Sequence, residues 1–130
     1  METGFIYVSN NIFETLIAIS EQEQQKGLMH QPFPPPIMSF VYEYPSVNKF
    51  WMHATPSPLD IVFCLKNKVS QIHYGKPFST EQIGDNSFSD LIIEFPAGTV
   101  DSSNIKVGHD VGLIKPSIDD IRKIIANARY

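Results

Sequence analysis

Leu59-Asp60-Ile61-Val62-Phe63-Cys64-Leu65 is the stretch on which the fold turns. Asp60 is its only polar residue, and Pro56, Pro58 and Asn67 mark its ends. A strand with one wet face alternates apolar and polar residues. This one does not, which predicts a central strand covered on both faces. Asp60 must then be satisfied, because a buried carboxylate without partners costs several kcal/mol. The simplest expectation is that it accepts backbone N–H groups from the preceding Pro56-Ser57-Pro58 turn. The functional alternative is a site carboxylate working with His53 or Glu94.

Working outward, strand-like segments flank this one. Phe5 to Val8 and Ile12 to Ile19 read as a hairpin turning at Asn10-Asn11. Ile37 to Tyr44, Val47 to His53, Val69 to Tyr74, Leu91 to Phe95 and Val111 to Ile114 are further strands, punctuated by Pro45-Ser46, Asn67 and Pro96-Ala97-Gly98. Ser20 followed by Glu23 has the form of a capping box and starts a short helix that stops at Gly27. Gln31-Pro32-Phe33-Pro34-Pro35-Pro36 is extended and unpaired, a rigid surface loop. The polar, turn-rich segment from Gly75 to Asp90 reads as a mobile loop, and Val100 to Asn104 as a short turn of helix. Ser117 caps a last helix, with Asp119 and Asp120 in its first turn and Arg122, Lys123 and Arg129 later. Its apolar stripe is Ile118, Ile121, Ile125 and Ala128.

Composition narrows the classes. At 130 residues the chain supports one domain, and 42% hydrophobic residues suffice for a core. A net charge of −4 argues against a dedicated nucleic-acid binder. The apolar runs are far shorter than the roughly 20 residues of a membrane helix. Cys64 is the only cysteine, so no internal disulfide forms, and its apolar run makes it a small buried hydrophobe. The residues after Met1 lack the basic and apolar regions of a leader, so the expected location is cytoplasmic.

No strong catalytic motif is present. Phosphate-cradling glycine loops, paired-histidine zinc helices and nucleophile elbows are all missing. His30, His53, His73 and His109 are widely separated, so no metal site and no cofactor is expected. His109 reads as an exposed turn residue. Phe50-Trp51-Met52 is an aromatic cluster whose alternation sends Phe50 and Met52 to one face and Trp51 to the other. Such rings line cores or grooves, and Met29, Phe33, Met38 and Phe40 would extend the same surface if the proline loop folds over it.

In order along the chain stand Gly27-Leu28-Met29, Ile37-Met38-Ser39-Phe40, Phe50-Trp51-Met52-His53-Ala54-Thr55, Pro58-Leu59-Asp60-Ile61-Val62-Phe63, Glu94-Phe95-Pro96-Ala97-Gly98 and Ile105-Lys106-Val107-Gly108. In this order the chain resembles the microbial domain-of-unknown-function family 192, over roughly Ile12 to Ile114. The resemblance implies a small, mainly β protein and brings no activity, substrate or cofactor with it. Two departures stand out. His53-Ala54-Thr55 replaces the Lys-Asn-Thr usual in that family, and Gln31 stands where a basic residue often follows Gly-Leu-Met. A polar site built from those groups would be altered in this chain. The helix after Ile118 lies outside the resemblance.

The expected fold class is α+β and predominantly β: a single small barrel or strongly curved antiparallel or mixed sheet with short helices. Residues 1–115 form that domain and 116–130 a C-terminal amphipathic helix, packed on it or, through Ile118, Ile121 and Ile125, on a second copy. The leading functional expectation is a non-enzymatic binding module for a small ligand or protein partner, with no role for nucleic acid or membrane. Its candidate binding residues are Met29, Trp51, His53, Thr55, Asp60 and Glu94. A structural accessory subunit of a larger assembly, such as a coat-decorating or complex-stabilising protein, is the alternative. An Asp/His hydrolase using Asp60 is the weakest reading.

Overall fold

A computed structural model describes residues 1–127. Seven strands form one mixed sheet: β1 (Glu2–Val8), β2 (Asn11–Ala18), β3 (Met38–Val47), β4 (Leu59–Leu65), β5 (Lys68–Gly75), β6 (Phe88–Pro96) and β7 (Val111–Lys115). Three short helices accompany them: α1 (Glu21–Lys26), α2 (Thr99–Ser102) and α3 (Ile118–Asn127). The sheet order is β5-β4-β6-β3-β2-β1-β7, and every pairing is antiparallel except β2 with β3. The sheet curls into a half-barrel. Its two edges meet through backbone bonds, with Val69 N–H donating to the His109 carbonyl and Val111 N–H to that of Asn67. Lys68 and Asp110 form an ion pair across the same seam.

The curl divides the core by strand alternation. One set of side chains fills the half-barrel: Ile6, Val8, Ile17, Val41, Val62, Leu91, Ile93, Phe95 and Val111 among them. The opposite set packs on the other face: Ala18, Leu28, Met38, Phe40, Met52, Leu59, Ile61, Phe63 and Ile92. β4 contributes to both, as an apolar strand without alternation should. It lies between β5 and β6, the doubly covered strand of the sequence reading.

The local elements follow from their residues. The β1–β2 hairpin turns at Ser9-Asn10, one residue earlier than expected, with Val8 paired to Asn11. The capping box of α1 is complete: Ser20 Oγ accepts from Glu23 N–H and Glu23 Oε1 from Ser20 N–H, each at 3.1 Å. α1 stops at Gly27, whose φ of +49° favours glycine. Pro45 does not end β3, because an irregularity in the pairing with β6 between Val41 and Ser46 absorbs it.

Three expectations are corrected. Val47 to His53 is not a strand: β3 ends at Val47, and Phe50 makes only an isolated bridge to Ile83. The predicted facing of the cluster survives without the strand, since Met52 is buried and Trp51 is 52% exposed. The segment after Gly75 is pinned to this loop. Phe50 and Ile83 exchange backbone bonds, Met52 N–H donates to Ser79 and Phe78 N–H to Thr55. His109 is half-buried, and its Nδ1 accepts from Lys106 N–H at 3.1 Å within its own turn.

Asp60 accepts two backbone hydrogen bonds, from partners that differ from those expected. Its Oδ2 accepts from Gly98 N–H at 3.0 Å and from Val100 N–H at 2.9 Å, so it holds the turn that opens α2. The Pro56-Ser57-Pro58 corner is fixed separately, by Ser57 Oγ donating to the Gln31 carbonyl at 2.7 Å. Replacing Asp60 by alanine orphans both N–H groups and should cost about 1–2 kcal/mol. Chemical denaturation checks this, and Asp60→Asn, which keeps an acceptor, should lose less.

α3 packs on the chain's own sheet. Ile118 and Ile121 enter the inner core and Ile125 packs against it. Arg122 anchors the helix, with Nε donating to the Tyr42 carbonyl at 3.0 Å and a guanidinium nitrogen 3.1 Å from Asp90 Oδ2. Ala128 and Arg129, the remaining residues expected in this helix, lie outside the described residues. No helix among the described residues is long and apolar enough to cross a membrane.

Candidate functional site

A cavity of about 370 Å³ opens on the outer face of the sheet, between α1, β3 and the loop from Asn48 to Pro58. That size lies at the lower end of small-molecule sites. Three elements shape it. α1 and its Gly27-Leu28-Met29 extension form one wall. β3 supplies Phe40 and Tyr42 from alternate positions, and the loop folds Phe50, Trp51, His53 and Thr55 over the third side. The loop keeps this shape because Phe50 packs edge-on against Phe40 and Phe63, with ring centroids 4.8 and 5.9 Å apart. Trp51 and His53 stack on each other at 4.9 Å at the exposed rim.

Glu94 lines the cavity from the sheet itself. It sits in β6 opposite Met38 of β3 and Ile61 of β4, on the same outer face as Ile92. Strand alternation therefore points a carboxyl group out of the sheet under α1. It is 4% exposed, and its Oε1 has no hydrogen-bond partner among the described residues. Burial pushes its pKa up from 4.5 to about 8, so the group carries a proton at neutral pH. Tyr42 answers to the same environment: burial first, and the nearby Glu94 second, push its phenol well above the ordinary range. A Cβ built on Gly27 would lie 3.6 Å from both Glu94 Oε1 and Phe40 Cζ, so the backbone of the α1 terminus closes over the acid.

The charged groups of the rim leave Glu94 alone. Lys26 and Lys49 line the mouth and are exposed, yet among the described residues neither forms an ion pair with it. Gln24 supports the wall from behind, its Nε2 donating to the carbonyls of Ala18 and Val41 at 3.1 Å each. The floor is thus an acid with an unanswered acceptor, the walls are aromatic and the rim is wet. Such a chamber is suited to holding a small molecule by one polar group and a flat or apolar body.

Five of the six residues singled out from sequence line this one cavity: Met29, Trp51, His53, Thr55 and Glu94. Asp60 is elsewhere, engaged by the turn before α2. The acid on which the Asp/His hydrolase reading rests therefore lies outside this cavity. Phe33 is exposed and Met38 is buried in the outer core, so of the four residues expected to extend the aromatic surface only Phe40 and Met29 line the cavity. Sequence reasoning missed Gln24, Tyr42 and Lys49. Tyr42 carried a signal, being two residues from Phe40 in a strand, whereas nothing local marks Gln24 or Lys49. Among the described residues no group of three or more His, Cys, Asp or Glu is placed to hold a metal ion.

The model of domain-of-unknown-function family 192 (DUF192, "Uncharacterized ACR") matches residues 6–113. The chain belongs to DUF192. Two solved structures share its fold. A protein of unknown function from Novosphingobium aromaticivorans is 26% identical, with a TM-score of 0.77 over 84% of each chain. A protein of Sinorhizobium meliloti, provisionally described as a transcription regulator, is 21% identical, with a TM-score of 0.80 over 86% of this chain and 94% of that one. The second likeness is one of fold alone. No curated protein matches this DUF192 chain. α3 lies beyond the family match, yet it braces the cavity through the Arg122 bond to Tyr42.

Proposed function

We propose that this DUF192 protein is a non-enzymatic binding module for a small molecule held in the Glu94 cavity. The observation that carries the reading is a buried carboxyl group whose Oε1 lacks a partner and which lines a chamber walled by Phe40, Tyr42 and Phe50. Natural folds rarely leave a buried polar atom unanswered, because the lost hydrogen bond costs about 1–3 kcal/mol. A ligand that answers it recovers that energy on binding. Trp51 and His53, stacked at the rim, supply an exposed flat surface against which a ligand body rests.

Native mass spectrometry of the protein purified gently from its source tests the reading. The expected result is a reproducible extra mass of small-molecule size, lost from the Trp51→Ala/His53→Ala double variant while its circular dichroism stays unchanged. Retention of the same mass by that variant contradicts the reading. A bare chain held in a complex with other chains moves the weight to the accessory-subunit alternative.

A further inference from the structure

We propose that the cavity takes a ligand bearing an ammonium or amidinium group, seated on Glu94 with its body between the rings of Phe40, Tyr42 and Phe50. This rests on the binding-module reading and names the chemistry of that site. Three observations carry it. The unanswered atom, Glu94 Oε1, is a carboxyl oxygen that can only accept once the group is ionised, so the partner that answers the carboxylate is a donor bearing positive charge. The protein itself has two amines at the mouth, Lys26 and Lys49, and among the described residues neither pairs with this acid, which leaves the place for a cation free. The walls are aromatic, and ring faces attract a desolvated cation by up to about 2 kcal/mol or more. A buried carboxylate gains most from a partner that is charged and hydrogen-bonding together.

The charges that face the site act in a definite way. From α1 come Glu21 and Lys26, from β3 Tyr42, and from the covering loop Lys49 and His53. Lys26, Lys49, Glu21 and His53 are exposed at the rim, where water and salt screen them. Glu94 and Tyr42 are the groups shielded from that screening. Seating a cation converts the Glu94 carboxylic acid to the carboxylate, and its proton leaves to solvent. Binding is therefore coupled to release of about one proton at neutral pH. The apparent affinity scales with the ionised fraction of Glu94, which rises roughly 100-fold between pH 6 and pH 9 for a group titrating at about 8.

The probe pair is benzamidine, which keeps its charge throughout that range, and benzamide, its neutral shape-mate. Both are titrated into the full chain by calorimetry at pH 6, 7 and 9, in two buffers of different ionisation enthalpy. The expected result is benzamidine binding that tightens roughly 100-fold from pH 6 to pH 9, with proton release at pH 7 and benzamide weaker by at least about tenfold. Glu94→Gln should abolish the pH dependence, and the wild-type profile alone suffices should that variant not fold. If benzamide binds as well as benzamidine, with no pH dependence, the cation inference is overturned and the binding-module reading stands. Absence of binding by either probe at millimolar concentration also overturns it, and the retained-mass experiment then decides the broader reading separately.

Discussion

Replacing Glu94 by glutamine is expected to stabilise the protein at pH 8.5 by up to about 4–5 kcal/mol while changing little near pH 5. The sign follows from linkage. In the unfolded chain the carboxyl ionises at its ordinary 4.5, whereas in the folded chain burial holds the proton until about 8. Between those values the folded state binds one more proton than the unfolded state, so stability falls as pH rises, by about 1.4 kcal/mol per unit. The contribution is complete below 4.5 and is lost by the time pH passes 8. Glutamine mimics the neutral acid in shape and cannot ionise, so its variant lacks this slope. Urea denaturation of both proteins at pH 5, 7 and 8.5 reads the difference directly. A gap between them that does not change with pH would show that Glu94 is ionised in the folded state or reached by water.

The second large effect lies on the other side of the sheet. Asp90→Ala should destabilise the fold by about 3 kcal/mol, or roughly 10 °C in Tm. Asp90 is almost fully buried and Arg122 only partly exposed, so removing the carboxylate strands a guanidinium in a place of low dielectric. Asp90 Oδ2 also accepts from Lys66 N–H at 3.4 Å, a weaker bond lost at the same time. The double variant Asp90→Ala/Arg122→Ala should cost less than the sum of the single changes, because neither charge is then left unpaired. Additive losses in thermal denaturation would mean that the two residues act separately. The pair also matters to the cavity: Arg122 donates to the carbonyl of Tyr42, so losing its anchor loosens one aromatic wall.

The strands were legible because their pattern is local. Leu59 to Leu65 reads as a buried strand from seven consecutive residues, and the capping box of α1 from four. The failures came where tertiary contacts override pattern. Residues 48 to 53 have the composition of a strand, but Phe50 and Met52 are drawn into the outer core and the loop pairs with Ile83 and Ser79 instead of with a neighbouring strand. Pro45 reads as a break, yet an irregular stretch of pairing lets β3 pass through it.

The site was legible in parts. Asp60 and Glu94 both interrupt apolar runs, and the sequence reading puts Asp60 first with Glu94 only as its possible co-worker. What separates them is the turn at Gly98, which offers two N–H groups to Asp60 and none to Glu94. That turn lies 38 residues from Asp60 along the chain, so spacing carries no trace of it. Met29, Trp51, His53 and Thr55 drew attention by clustering at turns, and they converge because α1 and the covering loop pack on the same sheet face. Gln24 and Lys49 reach the cavity only through that packing, which no periodicity encodes.

The chemistry of the cavity depends on a protonated carboxyl group whose Oε1 has no partner among the described residues. Its most direct test is a 13C NMR titration of the Glu94 side-chain carboxyl in the full chain, assigned by comparison with Glu94→Gln. A midpoint near 8 is the predicted result. A midpoint near the ordinary 4.5 would mean that water or a cationic side chain already satisfies the group, and would contradict both the cavity chemistry and the ligand class drawn from it.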